Sequence, residues 1–327
     1  MGKTALALCI LLLAAGDAQA QLTVTDKTIQ RTGKLKLDIH YPMTGRPDLD
    51  RIFAPAAESY AADPDLNDTR EGGNSGTMSY KIKRNDAQMF SIQVSTYTYY
   101  AGHAHGTPEM VSYNFLMPSG RRVFLPELVD GPRGMKKVSQ LAIPEILREL
   151  GKGGPLSHEN VRNVESNAGP AQLEYTNFQW QPDELVLTFV SYELLGYIGG
   201  PTIHIPRAAL TDVLRADPTA PSPSFDCQAA HSAIEKTLCA DSELARLDRR
   251  LASRYAMSVQ SHRYGKSVYD KSAPSDWDRK HLADEQAALD KLILAQRSWL
   301  AERNKACASG ASACLTASYK KRLKDPL

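Results

Sequence analysis

Four cysteines, Cys227, Cys239, Cys307 and Cys314, fall in the last 101 residues of the chain, while the stretch from Gln21 to Phe225 has none. Thiols can act as nucleophiles, hold a metal or close disulfides. No pair has the two-residue spacing of a zinc knuckle, and only His231 lies near any of them in sequence, so metal binding is disfavoured. Disulfides fit better. Pairing Cys227–Cys239 and Cys307–Cys314 is favoured, because residues 227–231 can run back along a two-turn helix and residues 308–313 make a small loop. Pairing across an antiparallel hairpin, Cys239 with Cys307, is the rival, and geometry rather than spacing decides between them.

The second constellation is aromatic. Tyr97, Tyr99 and Tyr100 precede Gly102-His103-Ala104-His105-Gly106, and Glu109 follows. Two histidines at i and i+2 suit a metal if further ligands converge; the plainer expectation is a glycine-bounded turn. Tyr192-Glu193 and Gly196-Tyr197-Ile198-Gly199-Gly200 form a second aromatic, glycine-rich segment, read as a strand end and loop. Tyr97, Tyr99, Tyr100, His103, His105, Tyr192 and Tyr197 are thus the candidate partner-binding residues. Asp183 and Glu184 sit in a turn beside a strand and read as solvent-facing rather than as a glycosidase acid and base. No phosphate-cradling glycine loop, Gly-x-Ser-x-Gly elbow or zinc-protease helix motif is present, so no catalytic residue, cofactor or metal is expected.

The elements that must position these residues divide at a break in composition. Residues 1–20 have the form of a secretory signal: Lys3, an apolar run from Ala5 to Ala15 too short to span a bilayer, and Ala18-Gln19-Ala20 before Gln21. Export to the periplasm or medium is expected, without a membrane span after cleavage. Residues 216–224 contain three prolines and no large apolar side chain, as in a semi-rigid linker. Residues 21–215 are predicted to form an α+β domain with a largely antiparallel sheet: strand-like runs near 35–39, 78–84, 88–100, 109–117, 121–125, 172–180 and 184–192, and helices over 46–61 and 135–150. Glycines 72, 73 and 76 mark a loop, and Pro55 and Pro144 argue against uninterrupted helices.

Residues 225–327 change to helical spacing. Leu244, Leu247, Leu251, Tyr255 and Val259 mark one helix, and Leu282, Leu289, Leu292, Ile293, Gln296, Trp299 and Leu300 a second. Polar residues 261–276 separate them, giving an all-α, disulfide-bonded helical hairpin. Ser232 and Glu235 make a capping box for a short helix ending near Cys239, and Gly310 is placed to stop the second long helix. From Phe225 onward there are 18 Lys+Arg against 13 Asp+Glu, a balance of +5, whereas the remainder carries −3. Neither imbalance is large enough to point to nucleic acid.

Phe225-Asp226-Cys227, Glu235, Cys239, Leu244, Leu247-Asp248, Tyr255, Gln296-Arg297-Ser298-Trp299-Leu300, Arg303-Asn304, Cys307, Cys314-Leu315, Tyr319 and Arg322-Leu323 strongly resemble the LprI-type lysozyme inhibitor family. Tyr99-Tyr100-Ala101-Gly102-His103-Ala104-His105, Ser119-Gly120, Leu125-Pro126-Glu127-Leu128 and the stretch from Phe178 to Pro206 resemble the extracellular domain of RsiV-type lysozyme-sensing anti-sigma factors, which is also attached to some peptidoglycan deacetylases. Together the resemblances imply an exported, non-enzymatic protein that binds or inhibits lysozyme or another cell-wall hydrolase. Peptidoglycan binding is the alternative, and a metal-dependent hydrolase built on His103 and His105 a weaker one. The basic balance of the tail counts against a cationic partner there, because like charges slow association.

Overall fold

The computed structural model describes residues 21–327 apart from 70–71, 171–176, 191–192, 196–198, 219, 221–222, 270–274 and 326–327. A six-stranded sheet runs in chain order through β1 (Thr25–Arg31), β2 (Leu35–Met43), β3 (Asn74–Asn85), β4 (Met89–Tyr99), β5 (Thr107–Leu116) and β6 (Arg121–Arg122). All neighbours are antiparallel except β2 and β3. A parallel pair needs a crossover, and α1 (Pro47–Ala61) and α2 (Pro64–Asn67) supply it. Leu49 and Phe53 of α1 share a buried cluster with Phe90, Ile92 and Phe115, and Ala57 another with Leu37 and Ile39. Phe53 meets Tyr113 and Phe115 edge-on, at centroid distances of 5.5 and 6.2 Å.

A second layer follows in the chain: α3 (Leu125–Leu128), α4 (Gly131–Leu150), α5 (His158–Asn167) and an antiparallel sheet of β7 (Asn177–Trp180), β8 (Glu184–Thr188) and β9 (Thr202–Pro206). Val138, Ala142 and Ile146 of α4 pack with Leu185, Leu187, Ile203 and Ile205 in the largest buried cluster among the described residues. The two sheets meet through buried polar groups. Asn114 donates its amide to the Phe178 carbonyl at 3.0 Å and accepts from Ser91 Oγ at 2.6 Å, while Asn177 Oδ1 accepts from the Ser112 amide at 2.7 Å. These bonds satisfy backbone groups that an apolar junction would leave unpaired.

The remaining chain is helical: α6 (Ala233–Ala240), α7 (Ser242–Tyr269), α8 (Asp276–Ala306) and α9 (Ser312–Arg322). Disulfides join Cys227 to Cys239 and Cys307 to Cys314, the local pairing. Ile234, Leu238, Leu244, Leu247, Leu251, Leu315 and Tyr319 form the core, with Trp299 partly buried against it. Ser232 and Glu235 form the capping box foreseen from their spacing. Gly310 lies in the turn between α8 and α9 with φ of +73°, where a Cβ would come within 2.7 Å of the Ala233 carbonyl oxygen; Thr237 Oγ1 donates to the Gly310 carbonyl at 2.8 Å. No helix among the described residues is long and apolar enough to cross a membrane.

Several boundaries differ from the sequence expectation, each for a physical reason. Both internal prolines stay inside continuous helices, α1 and α4. Pro55 and Pro144 face solvent, so water can satisfy the freed carbonyl of the preceding turn. Gly76 belongs to β3 rather than to a loop. Residues 261–269, too polar to read as helix, extend α7, and His262 Nδ1 meets Glu285 Oε2 of α8 at 2.7 Å. Strand β1 and helices α5 and α9 lack a clear period, whereas β9 alternates, with Ile203 and Ile205 buried. β1 is an edge strand exposed almost throughout, and α5 buries only Val164 completely. Residues 1–20, carrying the signal-like segment, lie outside the described residues.

Candidate functional site

Hairpin β4–β5 ends in the turn at residues 100–106, so the strand pair carries Tyr97, Tyr99, Tyr100, His103 and His105 to one end of the six-stranded sheet. Alternation along β4 then divides them, since successive side chains point to opposite faces. Tyr100 packs on the helix-covered face, partly buried against the cluster that holds Leu37, Ile39 and Ala57. Tyr97 lies on the other face and is 42% exposed, one of the most exposed large apolar side chains described. Its hydroxyl accepts from the Gly106 amide at 3.1 Å, and a Cβ on Gly106 would fall 2.5 Å from the Tyr97 ring. The close approach of ring and backbone explains the glycine.

Both histidines are exposed. The His103 ring tilts against Tyr100 at a centroid distance of 5.6 Å, and its amide donates to the Tyr100 carbonyl at 3.1 Å, closing the turn. His105 Nδ1 lies 3.2 Å from the Gly106 carbonyl oxygen. Among the described residues, no group of three or more His, Cys, Asp or Glu side chains is arranged to hold a metal. Tyr192 and Tyr197 lie outside the described residues. Asp183 is exposed, and Glu184 Oε2 sits 3.1 Å from His204 Nδ1 across the β8–β9 pair.

Two side chains at this end, Asn74 and Tyr60, carry no obvious sequence signal. Asn74, buried at 4% exposure, accepts the Ala101 amide at 2.8 Å and donates to the carbonyls of Asp68 at 2.8 Å and Leu66 at 3.1 Å. One side chain thus pins the aromatic turn to the segment after α2. Tyr60, from α1, donates to the Tyr97 carbonyl at 3.1 Å and shares a 2.8 Å hydrogen bond with Thr98 Oγ1. Asp63 and Asp65, with Glu109 of β5, complete an acidic rim. Burial pushes the Tyr100 phenol up, and the fields of Asp63, Asp65 and Glu109 add to that rise. Burial likewise raises Tyr60, with Glu109 and Asp63 again contributing. The hairpin end is therefore an aromatic tip with carboxylates beside it, chemistry suited to a flat, cationic or sugar-like surface.

Replacing Asn74 with alanine should cost about 1–3 kcal/mol of local stability, the loss expected when a buried amide leaves its partners unsatisfied. Amide hydrogen exchange reads it: protection at Ala101 should fall while protection in α4 stays unchanged. Unchanged exchange at Ala101 would show that the turn is held by its own backbone instead.

The helical region presents a different surface. Asp248, buried beside α9, accepts from Tyr319 Oη at 2.6 Å and from the Ser224 amide and hydroxyl at 2.8 and 2.6 Å. Arg303 Nη1 donates to Tyr319 Oη at 2.6 Å, and its guanidinium lies 5.2 Å from the Trp299 centroid. Arg322 donates to Gln296 Oε1 at 3.3 Å. The polar residues spaced along the hairpin therefore form an internal network. On the outside, the last turn of α9 is basic, with Lys320 and Lys321 exposed. The two regions touch where Arg249 of α7 approaches Glu127 of α3 at 3.8 Å, both buried.

No curated protein matches the chain. Among solved structures, a DUF3298 family protein from Pseudomonas aeruginosa PAO1 is similar, at 15% identity and a TM-score of 0.47, with 61% of this chain and 96% of that one covered. A member of the same family from Bacteroides fragilis NCTC 9343 is similar at 14% identity and a TM-score of 0.41, with the same coverage of both chains. In the helical region, residues 227–325 match the family described as lysozyme inhibitor LprI.

Proposed function

We propose that this is an exported, non-enzymatic binding protein whose partner is lysozyme or a related cell-wall hydrolase. The observation that carries the reading is the match of residues 227–325 to the lysozyme inhibitor LprI family. Two disulfides support export, since such bonds persist in oxidising compartments. On this reading residues 21–215 and 225–327 are two domains joined through the proline-rich segment 216–224, after a signal at residues 1–20.

The aromatic tip is the contact surface we favour. Tyr97, Tyr99, Tyr100, His103 and His105 lie at the end of the β4–β5 hairpin, Tyr97 and both histidines exposed and Tyr100 partly buried, with Tyr192 and Tyr197 as further candidates. A tip of this shape can enter a sugar-binding cleft and block it. Its rim of Asp63, Asp65 and Glu109 complements a cationic enzyme better than the basic helical region does.

Binding of the full chain to immobilised lysozymes of several types tests the proposal. Affinity should be micromolar or tighter and should fall as salt rises. Tyr97→Ala should weaken it about tenfold or more, as expected for an aromatic anchor. No binding to any lysozyme at micromolar protein in low salt would overturn the proposal. Cosedimentation of the full chain with purified sacculi in the absence of enzyme would favour the alternative, in which exposed Tyr97 stacks on peptidoglycan sugars.

A further inference from the structure

At the opposite end of the same strands, where β3 turns into β4 and β5 into β6, a cavity of about 590 Å3 opens between the two sheets and residues 214–218. Eleven residues of β4 separate it from the aromatic tip, about 35 Å at the rise of an extended strand. Met89, Leu116, Met117, Leu128, Leu214 and the Trp180 ring supply apolar walls. Arg84, Arg207 and Arg215 also line it, and no lining residue is acidic.

The three arginines differ. Arg84 is fully engaged in the fold: Nε meets Asp86 Oδ2 at 2.6 Å, Nη1 donates to the Trp180 carbonyl at 2.8 Å, and Nη2 reaches Gln88 at 3.1 Å. Arg207 is not. Its Nη1 donates to the Pro182 and Gln181 carbonyls at 2.8 and 3.4 Å, and its guanidinium lies 4.9 Å from the Trp180 centroid. No carboxylate among the described residues comes within ion-pair distance of it. Arg215 is held over the cavity by the segment that follows β9, with Nη2 donating to the Ala220 carbonyl at 3.0 Å. Burial lowers the Arg207 pKa and the like charge of Arg84 lowers it further, against the opposing field of Asp183; burial and Arg249 lower Arg215, against Glu127, Asp217 and Asp130. Arg207 is thus a cation held beside an apolar space by backbone carbonyls and a ring face, with no ion pair of its own among the described residues, a position where an incoming anion gains a charge-assisted contact.

We propose that this cavity is a binding site for an organic carboxylate with an aliphatic or aromatic body. Arg207 receives the carboxylate in the field of Arg215, and the body lies against Met89, Met117 and Leu214. The volume is within the range of small-molecule sites, and a guanidinium without an ion pair can make a charge-assisted hydrogen bond to a carboxylate. The apolar walls are what separate this ligand from a bare inorganic anion.

The test uses the full chain, with the Trp180 indole NMR resonance as reporter and 4-phenylbutyrate as probe. A saturable shift is expected below about 10 mM, the range reached by a ligand of this size. The neutral 4-phenylbutyramide should bind about tenfold more weakly or worse, as should the acid with R207Q, because each loses a charge-assisted contact. L214W, which fills the cavity without changing its charge, should abolish the shift and serves if R207Q does not fold. Equal binding of acid and amide, no shift with either, or inorganic phosphate binding as well as the acid would overturn the proposal. None of these results depends on lysozyme binding, so the two proposals stand or fall separately.

Discussion

Removing both disulfides is expected to destabilise the helical region by about 5 kcal/mol, enough to melt it near room temperature. The bridges close loops spanning sequence separations of 12 and 7 residues. Loop-closure entropy assigns about 2–3 kcal/mol to each, the longer loop gaining slightly more. That sum equals the lower end of a domain's whole stability. The positions of the bridges matter as much as their number. Cys227–Cys239 ties the segment before α6 back along that helix, and Cys307–Cys314 fixes α9 against the end of α8. Without them α6 and α9, of 8 and 11 residues, are too short to persist alone in water. Far-UV circular dichroism in urea, oxidised against reduced, reads the effect, and alanine rather than serine at Cys307 avoids burying a new hydroxyl. A midpoint unchanged on reduction would mean that packing alone holds these helices.

Asp248→Ala should cost about 3–4 kcal/mol. The carboxylate is 8% exposed and accepts three hydrogen bonds, so its loss strands the Ser224 amide and leaves Tyr319 Oη and Arg303 without their counter-charge. Tyr319→Phe should cost less, about 1–2 kcal/mol, because the ring and its edge contact with Trp299 at 5.2 Å remain. The two losses share one hydrogen bond, so the double variant should fall short of their sum by 1 kcal/mol or more, on the order seen for coupled neighbours. Chemical denaturation of the four proteins measures the cycle, and strict additivity would show that the network does not act as a unit. A pH effect follows from the same site. Burial, with the charge of Asp248, pushes the Tyr319 phenol well above its ordinary value of 10. The folded state therefore keeps a proton that the unfolded state loses. Its contribution is complete below about pH 10 and is lost as pH rises beyond, and Tyr319→Phe should flatten that alkaline decline.

Much of this was legible in sequence because the signal was local. The Ser232–Glu235 box, the apolar spacing of α7 and α8, the alternation in β2 and the composition of the cysteine-rich tail all depend on neighbours in the chain. Elements whose apolar faces are supplied by distant partners were not legible. β1 carries an almost wholly polar sequence and exists because β2 offers it an edge. Asn74 reads as one more polar residue after two glycines, yet its amide holds two loops together across 27 residues of chain. The sequence sets the aromatic residues beside a glycine-bounded turn, but only the packing of α1 on one face of the sheet decides that Tyr100 is partly buried while Tyr97, on the other face, is exposed.

The four thiols illustrate the division most directly. Their spacing confined them to the helical tail and argued against a metal, because those inferences need only sequence distance and residue type. Which thiols meet is a question of Cα separation, and only the packing of α6 beside the preceding turn and of α9 beside the end of α8 brings the pairs to 5.8 and 5.7 Å. The same limit applies to the cavity lined by Arg84, Arg207 and Arg215. Those residues span more than 130 positions, and no local pattern records that folding gathers their charges beside one apolar space.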